Sequence, residues 1–188
     1  MKRLFPLLIL LVFLFACGEQ ECEGDCDCVK KEIIATDQAP AAIGPYSQAV
    51  KVGNMLYLSG QLGMDPATGE FAEGGIEAQA RQALNNQVAI LKAAGFCLKD
   101  VVQCQVFVKN MDDYAVFNTV YKEFFKGDFP ARAVLEVSRI PAGGLCEVMM
   151  VAVKETDCGH ECGDCGHECG ESGHECGESG HECGESEK

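Results

Sequence analysis

The stretch FPARAVLEVSRIPAGGLCEV, Phe129 to Val148, decides how this chain folds. It reads as two short strands joined by a Pro-Gly-Gly bend, because Val-, Leu- and Ala-containing runs flank Pro141, Gly143 and Gly144. Arg132 opens the first strand and Glu147 lies in the second, fifteen positions on. Opposite charges on neighbouring strands form either a surface ion pair or a cation and a carboxylate delivered to one pocket.

Upstream, the chain supplies the rest of a sheet. KKEIIAT (30–36) reads as a short strand, and YSQAVKVG followed by NMLYLSGQLG (46–63) as two more, with Gly53-Asn54 as the hairpin turn. DPATGEF (65–71) is a turn by its Pro and Gly content. Ile76, Ala80, Ala83, Leu84, Val88, Leu91 and Ala94 recur at spacings of three and four, which predicts a helix over Gly75–Ala94 closed by Gly95. DVVQCQVFVKN (100–110) alternates and is rich in Val, hence a strand. Asp112 or Asp113 is expected to cap a second helix reaching Phe125, with Val116, Val120, Tyr121 and Phe124 near its apolar stripe. Cys97, Cys104 and Cys146 stand in apolar surroundings and read as core thiols.

The resulting order, β-β-β-α-β-α-β-β, predicts an α+β fold: a six-stranded mixed sheet with two helices on one face. Two helices cannot cover both faces of such a sheet, so the other face is expected to meet another subunit.

The flanks differ in character from this domain, which spans residues 29–156. Residues 1–16 carry Lys2 and Arg3 and then an apolar run, the pattern of an export signal peptide and too short for a comfortable membrane helix. Its end, LFAC (Leu14 to Cys17), resembles the lipobox of bacterial lipoproteins, in which the cysteine is lipidated and becomes the mature N-terminus; Phe15 is bulkier than that site usually holds. A diacylated Cys17 would anchor the chain to the membrane of the cell envelope, on the periplasmic side. The alternative is a plain secreted protein. Residues 17–28 read as an acidic, Cys-containing tether. Residues 157–188 repeat Gly, His, Glu and Cys with a period of seven, and their two glycines per repeat exclude a coiled coil; the tail is expected to be disordered. His160, Cys162, Cys165, His167 and Cys169 are candidate weak metal ligands there, although their spacing matches no structural zinc fold. In an oxidising compartment the tail cysteines, with Cys22, Cys26 and Cys28, could instead form disulfides.

Net charge is −14, with −5 on residues 18–28, −9 on 157–188 and only −2 on 29–156. Acidic flanks of this kind repel polyanions, so nucleic acid is not an expected partner.

The central domain resembles the reactive intermediate deaminase family, also called YjgF-like. The resemblance is carried by APAAIGPYSQAV (39–50), GNMLYLSGQ (53–61), QARQALNNQVAIL (79–91), VFVKNMDDYAVFN (106–118) and FPARAVLEV (129–137), and covers roughly residues 32–154. It implies a chorismate-mutase-like fold, a homotrimer with pockets between neighbouring subunits, and hydrolysis of 2-imino or enamino acids to 2-oxo acids and ammonia without cofactor or metal. It places the family's arginine on Arg132, its acidic residue on Glu147, its tyrosine on Tyr46, the serine and glycine of S-G-Q on Ser59 and Gly60, and its helix-2 asparagine on Asn118. A cysteine often found two positions after the arginine is Val134 here.

These residue types suit the chemistry. A guanidinium binds a carboxylate bidentately, a role Arg132 fits better than a lysine would. Glu147, with its pKa raised by burial, suits proton transfer to and from nitrogen and water. Tyr46, Ser59, Gly60 and Asn118 would hold substrate and water in register. The competing expectation is a non-enzymatic trimeric lipoprotein that binds small carboxylates or metal; it needs the arginine but not the glutamate. The family's older label, ribonuclease, fits poorly with so acidic a chain.

Overall fold

The computed structural model describes residues 30–155. The export signal, Cys17, the tether and the tail with His160, Cys162, Cys165, His167 and Cys169 lie outside the described residues. Within them, no helix is long and apolar enough to cross a membrane.

The elements follow in the predicted order: β1 (Lys31–Ile34), β2 (Ala49–Val52), β3 (Met55–Leu62), α1 (Gly75–Ala93), β4 (Val101–Val108), α2 (Tyr114–Phe124), β5 (Ala131–Glu136) and β6 (Cys146–Val153). Across the sheet they run β1-β2-β3-β6-β4-β5, antiparallel throughout except for β4 and β5. This corrects the reading of the opening stretch. The strands carrying Arg132 and Glu147 are consecutive in sequence but not neighbours, because β4 lies between them. A parallel partner can be reached only by a crossover; α2 supplies it and leaves β5 on the sheet edge.

Gly53, at φ 59, supplies the left-handed first position of the β2–β3 hairpin that a β-branched residue would resist. Helix α1 ends as the sequence predicts. Gly95 takes φ 77, its N–H bonds the Lys92 carbonyl, and the Phe96 N–H reaches back to Leu91, a Schellman closure that also seats Phe96 in the core. The inward face of α1 is more polar than expected, since Gln79, Asn86 and Gln87 are buried beside Ala80, Ala83, Leu84, Ile90 and Leu91.

For α2 the cap and the stripe both need correction. Asp113 takes the N-cap position but its side chain makes no capping hydrogen bond; a 3-10 turn, Met111–Asp113, precedes the helix, and Asn110 Oδ1 accepts the Asp112 N–H at 3.0 Å. With the helix starting at Tyr114, Phe117, Val120 and Tyr121 face inward while Val116 is exposed. Burying such a ring contributes about 1.5–3 kcal/mol, so the larger side chain takes the core position. Cys104 and Cys146 are core thiols as expected, pushed by burial to pKa values of about 11 and about 12 and so unreactive as nucleophiles. Cys97 is not; it stands half-exposed at the turn before β4, its N–H bonded to Asp100 Oδ2 at 2.8 Å.

Both helices lie on one face of the sheet, where β6 presents Cys146, Val148, Met150 and Ala152. The opposite face has no covering layer among the described residues. Tyr57 and Leu135 are 46% and 47% exposed on it, with Phe107, Met149 and Val151 half-buried beside them in register.

Candidate active site

Of the six candidate residues, Arg132 with Asn118 and Glu147 with Gly60 form two groups on opposite faces of the sheet. Arg132 pairs in register with Cys104, which is buried under the helices, so its side chain rises on the helix side. Glu147 pairs with Phe107, three residues further along β4 and therefore on the open face. Within one chain the two do not share a pocket.

The helix-side group is built on α2. Tyr114, Asn118 and Tyr121 stand four and three residues apart, one stripe of the helix, and all three approach Arg132. Asn118 Oδ1 accepts from an Arg132 terminal nitrogen at 2.8 Å. The guanidinium carbon lies 4.4 Å from the Tyr121 ring centre and 5.9 Å from that of Tyr114. None of the ion pairs among the described residues involves Arg132. Asn118 and Tyr121 line a cavity of about 390 Å³ with Lys122, Phe129, Pro130 and Arg132, so two cations face it and no carboxylate does. That size and polarity suit a small anion. Asn118, expected from the sequence to hold substrate, thus holds the arginine with its side-chain oxygen.

The open-face group is built on a bulge. Leu58 pairs with Met150 and Gln61 with Val148, so Ser59 and Gly60 oppose Met149 alone. The extra residue keeps both Leu58 and Gln61 buried and frees the Ser59 carbonyl from the ladder. Gln87 of α1 takes up that carbonyl at 3.0 Å and also donates to the Val148 carbonyl. Glu147 leans diagonally over Gly60; a Cβ there would sit 1.8 Å from Oε1. Burial raises the Glu147 pKa above its ordinary value.

Ser59 and Tyr46 are engaged locally. The Ser59 hydroxyl donates to the Ser47 carbonyl at 2.6 Å, and the Tyr46 hydroxyl accepts the Ile43 N–H at 3.3 Å, closing the G-P-Y bend on itself. Val134 packs against the core, on the same side as Arg132. Among the described residues no cluster of three or more His, Cys, Asp or Glu is arranged to hold a metal.

The sequence alone singles out neither Tyr114 nor Gln87, and it marks Tyr121 only as part of the apolar stripe of α2. The tyrosines were detectable as the residues at i−4 and i+3 from Asn118 on a helix. Gln87 carried no such signal, since a glutamine in a helix reads as solvated.

Residues 36–154 match the family profile described as Endoribonuclease L-PSP. A 2-iminobutanoate/2-iminopropanoate deaminase of Bos taurus is 49% identical over 124 residues, 66% of this chain and 90% of the relative. A RutC family protein of Pyrococcus horikoshii is 50% identical over 125 residues, 66% and 99% of the two chains. Among solved structures, E. coli TdcF with bound serine is similar at a TM-score of 0.64 and 39% identity, covering 66% of this chain and 99% of that one.

Proposed function

This chain belongs to the Endoribonuclease L-PSP family, and from that membership and the two half-sites we propose that it hydrolyses 2-imino or enamino acids to 2-oxo acids and ammonia, each site being assembled from two copies of the chain. The observation that carries the reading is Arg132. An arginine in no ion pair among the described residues, held by a neutral amide and two aromatic rings at a cavity of small-molecule size, is suited to bind a substrate carboxylate. Identity near one half with a deaminase of that substrate class supports the chemistry.

Glu147 is the second half. The open sheet face on which it stands exposes Tyr57 and Leu135, and an apolar face of this kind suits burial against another copy. We take the assembly to be a homotrimer, in which the Arg132 cavity of one chain meets Glu147, Gly60, Ser59 and Tyr46 of the next. In the protonated state that burial favours, Glu147 gives its proton to the imine nitrogen; the carboxylate then accepts a proton from the water attacking C2. The carbinolamine collapses: Glu147 returns the proton to nitrogen, the C–N bond breaks to release ammonia, and the hydroxyl proton passes to Glu147 as the C2 carbonyl forms, leaving the 2-oxo acid on Arg132 and the carboxyl protonated again. Metal and organic cofactor have no step in this scheme.

The word endoribonuclease in the family's name is not the activity we infer. All four histidines lie at 160–181, so residues 30–155 hold no imidazole for acid–base cleavage of RNA, and a net charge of −14 opposes the polyanion. For location we propose export and membrane attachment through lipidated Cys17; incorporation of a labelled fatty acid, abolished in Cys17→Ser, tests it.

The reading is tested by hydrolysis of freshly generated 2-aminoacrylate and 2-iminobutanoate. Turnover by the parent, with KM raised roughly 10- to 100-fold in Arg132→Ala and kcat lowered about 10²-fold or more in Glu147→Gln, is the expected result. A folded, assembled parent that binds pyruvate but accelerates neither substrate would leave the carboxylate-binding scaffold as the better account.

A further inference from the structure

We propose that Tyr121 is a positioning residue: its ring face holds the Arg132 guanidinium extended toward the cavity, ready for a carboxylate. The inference rests on the carboxylate-anchoring role of Arg132.

The two arginines that meet α1 and α2 make the contrast. Arg81 of α1 is held by Glu123 and Glu77, so its charge is spent within the chain. Arg132 has the same long, rotamer-rich side chain, but the groups that engage it are neutral. Asn118 engages one terminal nitrogen at 2.8 Å, and the Tyr121 ring lies 4.4 Å from the guanidinium carbon. A ring quadrupole attracts the cation without neutralising it or occupying its N–H donors. Restraint and availability are thereby combined, which no carboxylate partner allows.

Tyr121 is itself well fixed. It is 3% exposed, its ring lies 4.6 Å from Phe125 and 6.1 Å from Phe117 between centroids, and its hydroxyl points inward against the Cys104 thiol without a complete hydrogen bond. The hydroxyl therefore faces away from the cavity, and the surface offered to Arg132 is the π face alone. Tyr114, exposed and 5.9 Å away, is the looser second wall. Ring character, and not the phenol, is what the role requires.

The experiment replaces Tyr121 in the full chain with Phe, then with phenylalanines carrying successively more ring fluorines, and follows pyruvate affinity by NMR titration beside kcat and KM for 2-iminobutanoate. Fluorination empties the ring face with little change of shape. The expected result is that Tyr121→Phe stays within about twofold of the parent, while the most fluorinated ring weakens pyruvate binding and raises KM by about 3- to 30-fold, with kcat within about twofold. Affinity unchanged across the series, or kcat falling as KM stays constant, would overturn the proposal. Tyr121→Leu is the harsher variant, and because it leaves a cavity its affinity counts only if its melting curve remains cooperative. A graded loss of pyruvate affinity in a protein that hydrolyses no imine would sink the deaminase reading and leave the positioning role standing; turnover with a flat series would do the reverse.

Discussion

The Glu147 carboxylate occupies the space that a side chain on Gly60 would need: a Cβ built there lies 1.8 Å from Oε1 and 2.7 Å from the carboxyl carbon. The bulge at Ser59–Gly60 thus sets where the proposed proton-transfer group sits, and glycine is required by close approach. Gly60→Ala should displace the carboxylate by an ångström or more and lower kcat by about 10²-fold. The side chain can swing away without breaking the sheet, so the melting temperature should fall far less than the rate. Steady-state kinetics beside a thermal melt decide it, and an alanine variant with parental kcat would remove Glu147 from the reaction.

Arg132 and Glu147 stand on opposite faces of the same sheet, which gives the proposed site a genetic signature. Arg132→Ala and Glu147→Gln homomers should each be nearly inactive, yet co-refolding them in equal amounts should restore about a quarter of the parental sites, since each interface draws one half from each neighbour. Activity of the mixture no greater than that of the two variants alone would rule out sites shared between copies.

Burial holds the Glu147 carboxyl above its ordinary value of 4.5. A group with a raised folded-state pKa contributes its full stability below the unfolded value and loses it as pH rises through the folded value. Relative to Glu147→Gln, the parent should therefore lose melting temperature as pH climbs above about 4.5, until the carboxyl is fully ionised. Two parallel Tm–pH curves would contradict this account of the carboxyl.

Gln87 bonds the carbonyls of Ser59 and Val148 from inside the core. Gln87→Leu keeps the volume but removes both bonds from the core, a destabilisation of about 1–3 kcal/mol. Urea unfolding measures it. A midpoint unchanged from the parent would mean that water or a neighbour takes over both bonds.

Most of the fold was legible because its signals are local. The alternation in Val101–Val108 and the Gly95 closure each depend on a few adjacent residues. The phase of α2 was not legible, because the 3-10 turn at Met111–Asp113 shifts the helix start, and that moves Phe117 inward in place of Val116. The side of the sheet on which Arg132 and Glu147 stand was also out of reach. Facing depends on register against β4, and nothing between residues 129 and 148 encodes that another strand separates them. The family resemblance named Arg132, Glu147 and Gly60; the aromatic support of the arginine came only from the geometry of α2.

The two halves of the proposed site are also held with unequal firmness. Glu147 rides on β6, flanked by β3 and β4, whereas Arg132 rides on β5, which among the described residues is paired with β4 alone. Edge strands open at lower free energy than central ones, so β5 amides of the free protomer should exchange with solvent deuterium well before those of β6. Warming would then loosen the grip on substrate before the sheet melts. In a protomer so built, the arginine end of the proposed site would come loose on warming while the glutamate end still stands in place.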